Sequence, residues 1–299
     1  MTTTRQRIAA ALVAAGVLLA AARADGPEIH VLISGGFAAA FAELTPAFER
    51  SSGSRIVTVR GPSMGTSPDA IPGRLRRGDP ADVVIMAADA LEDLVKQRIV
   101  AADGRADLAR STIGMAVRRG AAKPVISTVN ALRRALLQAK SIAYSSSASG
   151  VYLSTDLFPR LGLTDQIAAK SRRIESEPVG AVVARGEAEI GFQQISELRP
   201  VDGIDIVGPL PPGAQHLTVF SAGIVMTAKQ RDGARRLIAF LSSPAAEPAI
   251  RNSGMDPIPH SNPRDRLSKP ASSRSAAAQA MMSRTTAPPS GPVSRTSRP

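Results

Sequence analysis

Two glycines directly follow the first strand-like run of the chain, at Gly35 and Gly36, and a helical pattern opens at Phe37. A second bend of small residues, 61–65, and a third, 145–150, follow other short strand-like runs. Where a strand passes through such a bend into a helix, the first backbone N–H groups of the helix lack intrahelical partners and attract anions. The three bends therefore predict a protein that binds a small anionic molecule.

The bends also supply candidate ligand-binding residues. We expect backbone N–H groups and one hydroxyl from the following set: Gly35, Gly36, Phe37, Ser63, Met64, Ser149 and Gly150. Arg60 ends a strand beside Ser63, where a guanidinium could bind a carboxylate through two parallel hydrogen bonds. An exposed structural arginine is the competing interpretation. Tyr152 is a further candidate, although its spacing to Phe158 is equally compatible with core packing.

Residues 61–65 also match G-x-S-x-G, the nucleophile turn of hydrolases, and Ser63 is followed by His216 and His260. Only one strand of the mature chain precedes the strand before this bend, so hydrogen bonding to a ligand is the favoured role of Ser63. The histidines, which include His30, lack the spacing of metal ligands. No nucleotide-binding motif occurs. We therefore predict no catalytic residue, no metal and no cofactor.

The first 24 residues have the pattern of a secretory signal. Arg5 and Arg7 precede an apolar run, 8–22, and Ala22-Arg23-Ala24 predicts cleavage after Ala24. The run is shorter than the ~20 residues of a spanning helix, so stable membrane insertion is not expected. Cysteine is absent, which excludes disulfides and a lipid-anchored cysteine. A bacterial periplasm is the predicted location.

The end of the chain, 261–299, consists mostly of Ser, Arg, Pro, Ala and Thr, and we predict that it is disordered. It carries 7 basic residues and 1 acidic residue, whereas residues 25–260 carry 27 basic and 24 acidic residues. The net charge of +12 is therefore mostly an effect of the two ends. No aromatic residues are interleaved with the basic ones, so nucleic-acid binding is not predicted.

Short β-branched runs alternate with helical patterns between these two ends, which is typical of an α/β fold with many parallel strands. The predicted strands are 29–34, 55–60, 82–86, 112–117, 141–144, 189–192, 204–207 and 219–227. The predicted helices begin near Phe37 and cover 88–98, 130–139, 150–161, 178–185 and 229–241. Pro46 lies inside the first helical pattern, where a kink or a break is expected.

Several segments together resemble a known family. They are residues 74–85, the third bend with Val151-Tyr152, Leu161-Gly162-Leu163 and residues 185–192. Over about residues 28–258 the chain resembles the periplasmic molybdate-binding proteins of the type II solute-binding class. The resemblance implies two lobes, each a mixed sheet flanked by helices, with the ligand in a cleft between them. Lobe 1 would contain 25–110 and 217–260, and lobe 2 would contain 111–216.

The same resemblance implies a monomer that delivers an oxyanion to an ABC-transporter permease. The family's hydroxyl and N–H donor positions fall here at Gly36, Ser63, Ser149, Ser176 and Gln194. Two side-chain donors have therefore changed, because Gly36 replaces a hydroxyl residue and Gln194 replaces a tyrosine. Ser34 supplies a hydroxyl two residues before Gly36. These departures favour a larger ligand, such as a carboxylate.

The leading hypothesis is accordingly a periplasmic protein that binds a small anion, with molybdate or tungstate as the default ligand, and that is not itself an enzyme. The alternative is a polycarboxylate-binding protein or an enzyme similar to aconitate isomerase, which belongs to the same superfamily; a secreted serine hydrolase is the third. An arginine or lysine facing a carboxylate or tyrosine in the cleft would favour the isomerase. A cleft lined only by N–H groups and serines would favour the oxyanion carrier. Glu175 and Glu177 are candidate bases, although a surface pair is the favoured interpretation.

Overall fold

The computed structural model describes residues 26–259, so the predicted signal, the predicted tail and His260 lie outside the described residues. Within them the strands form two mixed sheets. The six-stranded sheet contains β1 (Glu28–Ile33), β2 (Arg55–Arg60), β3 (Val83–Ala87), β4 (Ala106–Ser111), β10 (Thr218–Ile224) and β11 (Asp256–Pro257). The five-stranded sheet contains β5 (Ile113–Arg118), β6 (Ile142–Ser145), β7 (Ser171–Ile174), β8 (Ile190–Gln194) and β9 (Ile204–Pro209).

The first sheet has the strand order β11-β4-β10-β3-β1-β2, and the second has the order β7-β6-β8-β5-β9. In each sheet one group of three neighbouring strands is parallel, β2-β1-β3 and β7-β6-β8, and the other pairings are antiparallel. The chain passes between the sheets after β4 and again after β9. The predicted α/β fold with two mixed sheets is confirmed.

The helices connect the strands and lie beside the sheets. They are α1 (Gly35–Ser52), α2 (Ile71–Arg76), α3 (Ala88–Lys96), α4 (Val129–Gln138), α5 (Ala148–Tyr152), α6 (Phe158–Arg160), α7 (Thr164–Ala168), α8 (Val179–Ala184), α9 (Ile195–Leu198), α10 (Arg231–Leu241) and α11 (Glu247–Asn252). A π-helical turn, Leu153–Leu157, joins α5 to α6. Across residues 26–259, none of the helices has the length and apolar character needed to cross a membrane.

Helix α1 shows how the apolar pattern directs the packing. Phe37, Phe41, Leu44 and Phe48 share one helix face, as their spacing predicts, and all are buried in the core of the first sheet. The helix continues through Pro46 to Ser52, so the expected break does not occur. Buried contacts on both sides of Pro46 hold the helix together, because tertiary packing outweighs a single lost hydrogen bond.

Three strands are absent from the sequence prediction: β4, β7 and β11. The sequences of β4, Ala-Asp-Leu-Ala-Arg-Ser, and of β7, Ser-Arg-Arg-Ile, contain few β-branched residues. Both segments are strands because a neighbour pairs with them: β10 and β11 with β4, and β6 with β7. Strand propensity depends strongly on such a context, so it could not reveal them.

Candidate functional site

The three predicted bends line one cleft of about 570 Å³. The cleft is lined by Gly35 at the start of α1, by Gly61 and Pro62 after β2, and by Ser145, Ser146 and Ser147 after β6. The backbone N–H of Ser63 donates a hydrogen bond to Oγ of Ser147 over 3.1 Å, which joins the second bend to the third. Because β2 belongs to one sheet and β6 to the other, the cleft is lined by residues that follow strands of both sheets.

Glu197 is the carboxylate that lies at the start of α1. It occupies the third position of α9 and is partly exposed in the cleft. A Cβ atom added to Gly35 would lie within 3.0 Å of Glu197 Oε1. Glycine at position 35 therefore leaves the space that this carboxylate occupies, beside N–H groups that favour negative charge.

Burial raises the pKa of Glu197 from its ordinary value of 4.5 to about 7. Hydrogen bonding from the Gln193 side chain, the positive charge of Arg60 and the backbone N–H of Gln194 oppose this shift. The Gln193 side chain is held in place because its Oε1 accepts the backbone N–H of Val179 over 2.9 Å. The carboxyl group can therefore exchange a proton near neutral pH.

Arg60 ends β2, is exposed, and lines the same cleft. Within the described part of the chain, its guanidinium makes no hydrogen bond and no ion pair within 4.0 Å. The other cleft carboxylates are paired with arginines: Asp69 with Arg74 at 2.6 Å, Glu175 with Arg173 at 2.7 Å and Glu177 with Arg185 at 2.9 Å. Arg60 is thus available to bind a carboxylate of a ligand.

Two of the predicted ligand-binding residues in the first bend face the core. Phe37 is fully buried, and a Cβ atom on Gly36 would lie within 3.0 Å of three ring carbons of Phe220. The replacement of a hydroxyl residue by Gly36 therefore gives no additional space for a larger ligand, because the Phe220 ring occupies that space. Ser34 is buried as well, and its N–H donates to the carbonyl oxygen of Ile85 over 2.8 Å.

This packing predicts a stability effect. In Gly36→Ala the new methyl group must displace the buried Phe220 ring, and such overpacking costs ~1–3 kcal/mol. For a protein of this size we expect the melting temperature to fall by about 5 °C. Gly73→Ala is the matched helical control, because a Cβ there meets only Arg77 Nη1, at 3.4 Å. An unchanged melting temperature for Gly36→Ala, or no recovery when Phe220→Leu is added, would contradict this account.

Ser63 and Met64, in the second bend, are also engaged by the protein. Oγ of Ser63 is buried and accepts the backbone N–H of Ala87 over 3.0 Å, and Met64 packs against the core around β3. No histidine among residues 26–259 hydrogen-bonds to Ser63. The described residues therefore do not form the nucleophile arrangement that a serine hydrolase requires.

The remaining predicted residues divide between the cleft and the interior. Ser176 lines the cleft. Ser149 is buried, with its Oγ 3.0 Å from Oγ of Ser145, and Gly150 packs tightly against the Ser145 carbonyl. Ser149 and Gly150 therefore stabilise the third bend through contacts with Ser145 in the protein interior.

Gln194 and Tyr152 lie outside the cleft lining. Nε2 of Gln194 donates to Thr218 Oγ1 over 2.8 Å. The Tyr152 hydroxyl donates to the Ala214 carbonyl over 3.0 Å, and its ring stacks on His216 at 4.8 Å between centroids. Burial raises the pKa of Tyr152, although the Arg160 charge lowers it in part.

Sequence reasoning missed Glu197, Gln193 and Ser196, which all line the cleft. One signal was present for Glu197. It stands three residues after Gln194, and a glutamate at that spacing hydrogen-bonds back to the N–H that precedes a helix. The pattern places Glu197 in the first turn of α9, but only the fold brings that turn beside Gly35.

A family model described as bacterial extracellular solute-binding protein matches residues 29–256. The chain belongs to this family. A protein named aconitate isomerase, from Pseudomonas sp., is 49% identical to this solute-binding protein over 252 residues, which cover 84% of this chain and 95% of that protein. The molybdate-binding protein ModA of Azotobacter vinelandii is 27% identical over 255 residues, which cover 81% of this chain and 95% of ModA.

The solved structure of the Azotobacter vinelandii periplasmic molybdate-binding protein matches this solute-binding protein with a TM-score of 0.63 and 21% identity. The match covers 78% of this chain and all of that chain. The resemblance to molybdate-binding proteins and to aconitate isomerase is therefore confirmed. The similarity of the solved structure concerns the fold.

Proposed function

We propose that this protein isomerises aconitate, or a closely related unsaturated tricarboxylate, in the cleft between its two sheets. The observation that carries the proposal is that Arg60 and Glu197 line the same cleft. A guanidinium binds a substrate carboxylate, and a carboxylate without an arginine partner can move a proton. The relative that is 49% identical and is named aconitate isomerase supports the same reaction.

The reaction needs no cofactor, because it only shifts a double bond. A base removes a proton from the methylene carbon of cis-aconitate, and the electron pair spreads over the three-carbon chain. Return of a proton to the former alkene carbon completes the shift, and the double bond then joins the other pair of carbons. The geometry about the new double bond decides whether the product is cis or trans.

The test is to incubate the purified protein with cis-aconitate and to separate the acids by chromatography. We expect trans-aconitate to form at a rate proportional to protein concentration, and the reverse conversion to reach the same ratio of isomers. Boiled protein is the control for the slow uncatalysed reaction. If no trans-aconitate forms, the proposal is contradicted.

A periplasmic carrier that delivers an oxyanion such as molybdate or tungstate to an ABC-transporter permease is the second candidate. It is supported by the ModA relative and by the five serines that line the cleft, Ser145, Ser146, Ser147, Ser176 and Ser196. A ligand at a hundredfold excess over its Kd stabilises the folded protein by ~2.7 kcal/mol. A rise in melting temperature with molybdate or tungstate but not with cis- or trans-aconitate would favour the carrier over the isomerase.

A further inference from the structure

We infer that Glu197 is the catalytic residue that moves the proton; this assignment rests on the proposed function. Four carboxylates line the cleft: Asp69, Glu175, Glu177 and Glu197. Three of them lie within 3.0 Å of an arginine, and Glu197 has no ion pair within 4.0 Å in the part of the chain that the structure describes. The other three carboxylates are already engaged by a cation of the protein, so the pairing separates Glu197 from them.

Its surroundings suit a base that works near neutral pH. Arg60 is the cation whose charge acts on the carboxylate, and the Gln193 side chain and the Gln194 backbone N–H donate hydrogen bonds to it. Gly35 brings the start of α1 against one carboxylate oxygen. Burial raises the pKa of this carboxyl to about 7. A base with such a pKa is ionised in enough molecules to take a proton and acidic enough to return it.

The two proton transfers by Glu197 balance without any other reactant. Ionised Glu197 takes a proton from the methylene carbon, and the C–H electron pair becomes part of the delocalised carbanion. The protonated Glu197 then gives a proton to the carbon at the other end of the three-carbon chain. Arg60 beside a substrate carboxylate stabilises the negative charge that develops between the two transfers.

The first test is Glu197→Gln. Glutamine retains an oxygen that can accept the Gln194 N–H, so the first turn of α9 keeps its hydrogen bond. We expect kcat to fall by at least about 100-fold, within the range of lost general-base catalysis, with KM changed by less than about threefold. Glu175→Gln and Glu177→Gln should lower kcat far less. Glu187→Gln, at an ion pair outside the cleft, is the control for surface charge.

Two readouts separate a proton-transfer role from a structural one. The wild-type kcat/KM should rise with pH through about 7, because the ionised form is the active base. The second readout is stability. The pKa of Glu197 is higher in the folded protein than its ordinary 4.5, so its stabilising contribution is present below pH 4.5 and is lost as pH rises through about 7. Glu197→Gln should therefore melt at a higher temperature than wild type at pH 8 and at the same temperature at pH 4.

The measurements distinguish a wrong assignment of Glu197 from a wrong isomerase function. Turnover by Glu197→Gln above one third of wild type, or an equal loss in Glu175→Gln or Glu177→Gln, overturns the assignment and leaves the isomerase function standing. A wild-type protein that does not convert cis-aconitate contradicts the function itself. If Glu197→Gln does not fold, Glu197→Asp replaces it: the shorter carboxylate should lower kcat and keep the pH dependence, and full activity would overturn the assignment.

Discussion

In the proposed isomerase reaction, replacing Arg60 with alanine should raise the KM for aconitate by about 10- to 100-fold, since a hydrogen bond to a charged group contributes ~1.5–3 kcal/mol. Among the described residues the guanidinium makes no hydrogen bond and no ion pair within 4.0 Å, so its whole hydrogen-bonding capacity is available to a ligand. Because Arg60 also faces Glu197, its loss should raise the pKa of that carboxyl further and move the pH profile to higher values.

Two further variants, Arg60→Lys and Arg55→Ala, test the role of Arg60 in binding. Arg60→Lys keeps the charge but cannot form two parallel hydrogen bonds, so its KM should lie between those of wild type and Arg60→Ala. Arg55→Ala is the matched control, because Arg55 begins the same strand, is exposed and pairs with Glu28 outside the cleft. The kinetics of Arg55→Ala should equal those of wild type. Equal kinetics for Arg60→Ala and wild type would remove Arg60 from the site.

Gly35→Ala should abolish most of the activity while the protein remains folded. The added methyl group would lie within 3.0 Å of Glu197 Oε1 and must displace it. The displaced group is the end of a flexible side chain, so the cost in stability is small, and alanine is favoured over glycine in a helix by ~1 kcal/mol. A catalytic group moved by about 1 Å can lose ~100-fold in rate. We therefore expect kcat to fall by about 100-fold with a melting temperature within a few degrees of wild type.

Gly36→Ala is the variant with which Gly35→Ala is compared. Gly35 and Gly36 are adjacent in the chain, but one faces a carboxylate in the cleft and the other faces the Phe220 ring in the core. Gly36→Ala should lower the melting temperature and leave the activity of the molecules that remain folded close to normal. Circular dichroism melting curves and initial rates for the two variants measure the difference. A Gly35→Ala variant with wild-type kcat would show that the Glu197 carboxylate is not needed where the structure places it.

Local patterns in the sequence were sufficient for the fold class. The face of α1, the short β-branched runs and the first and third bends all depend on residues close together in the chain, and the structure has them where the patterns predict. The second bend, 61–65, does not open a helix, because α2 begins only at Ile71. The strands that were missed, β4, β7 and β11, exist because distant neighbours pair with them. Their own sequences carry little strand preference.

The site depended on contacts between segments that are distant in the chain. The sequence by itself determined that three bends of small residues would follow strands and that Arg60 would end a strand beside one of them. Only the tertiary structure decided which side of each bend faces the cleft, because a one-residue difference turns a side chain from the ligand to the core, as at Gly35 and Gly36. It also decided that Glu197, 162 positions beyond Gly35, lies beside it with a pKa that desolvation raises. Burial and proximity arise from packing between distant segments, so no local pattern contains them.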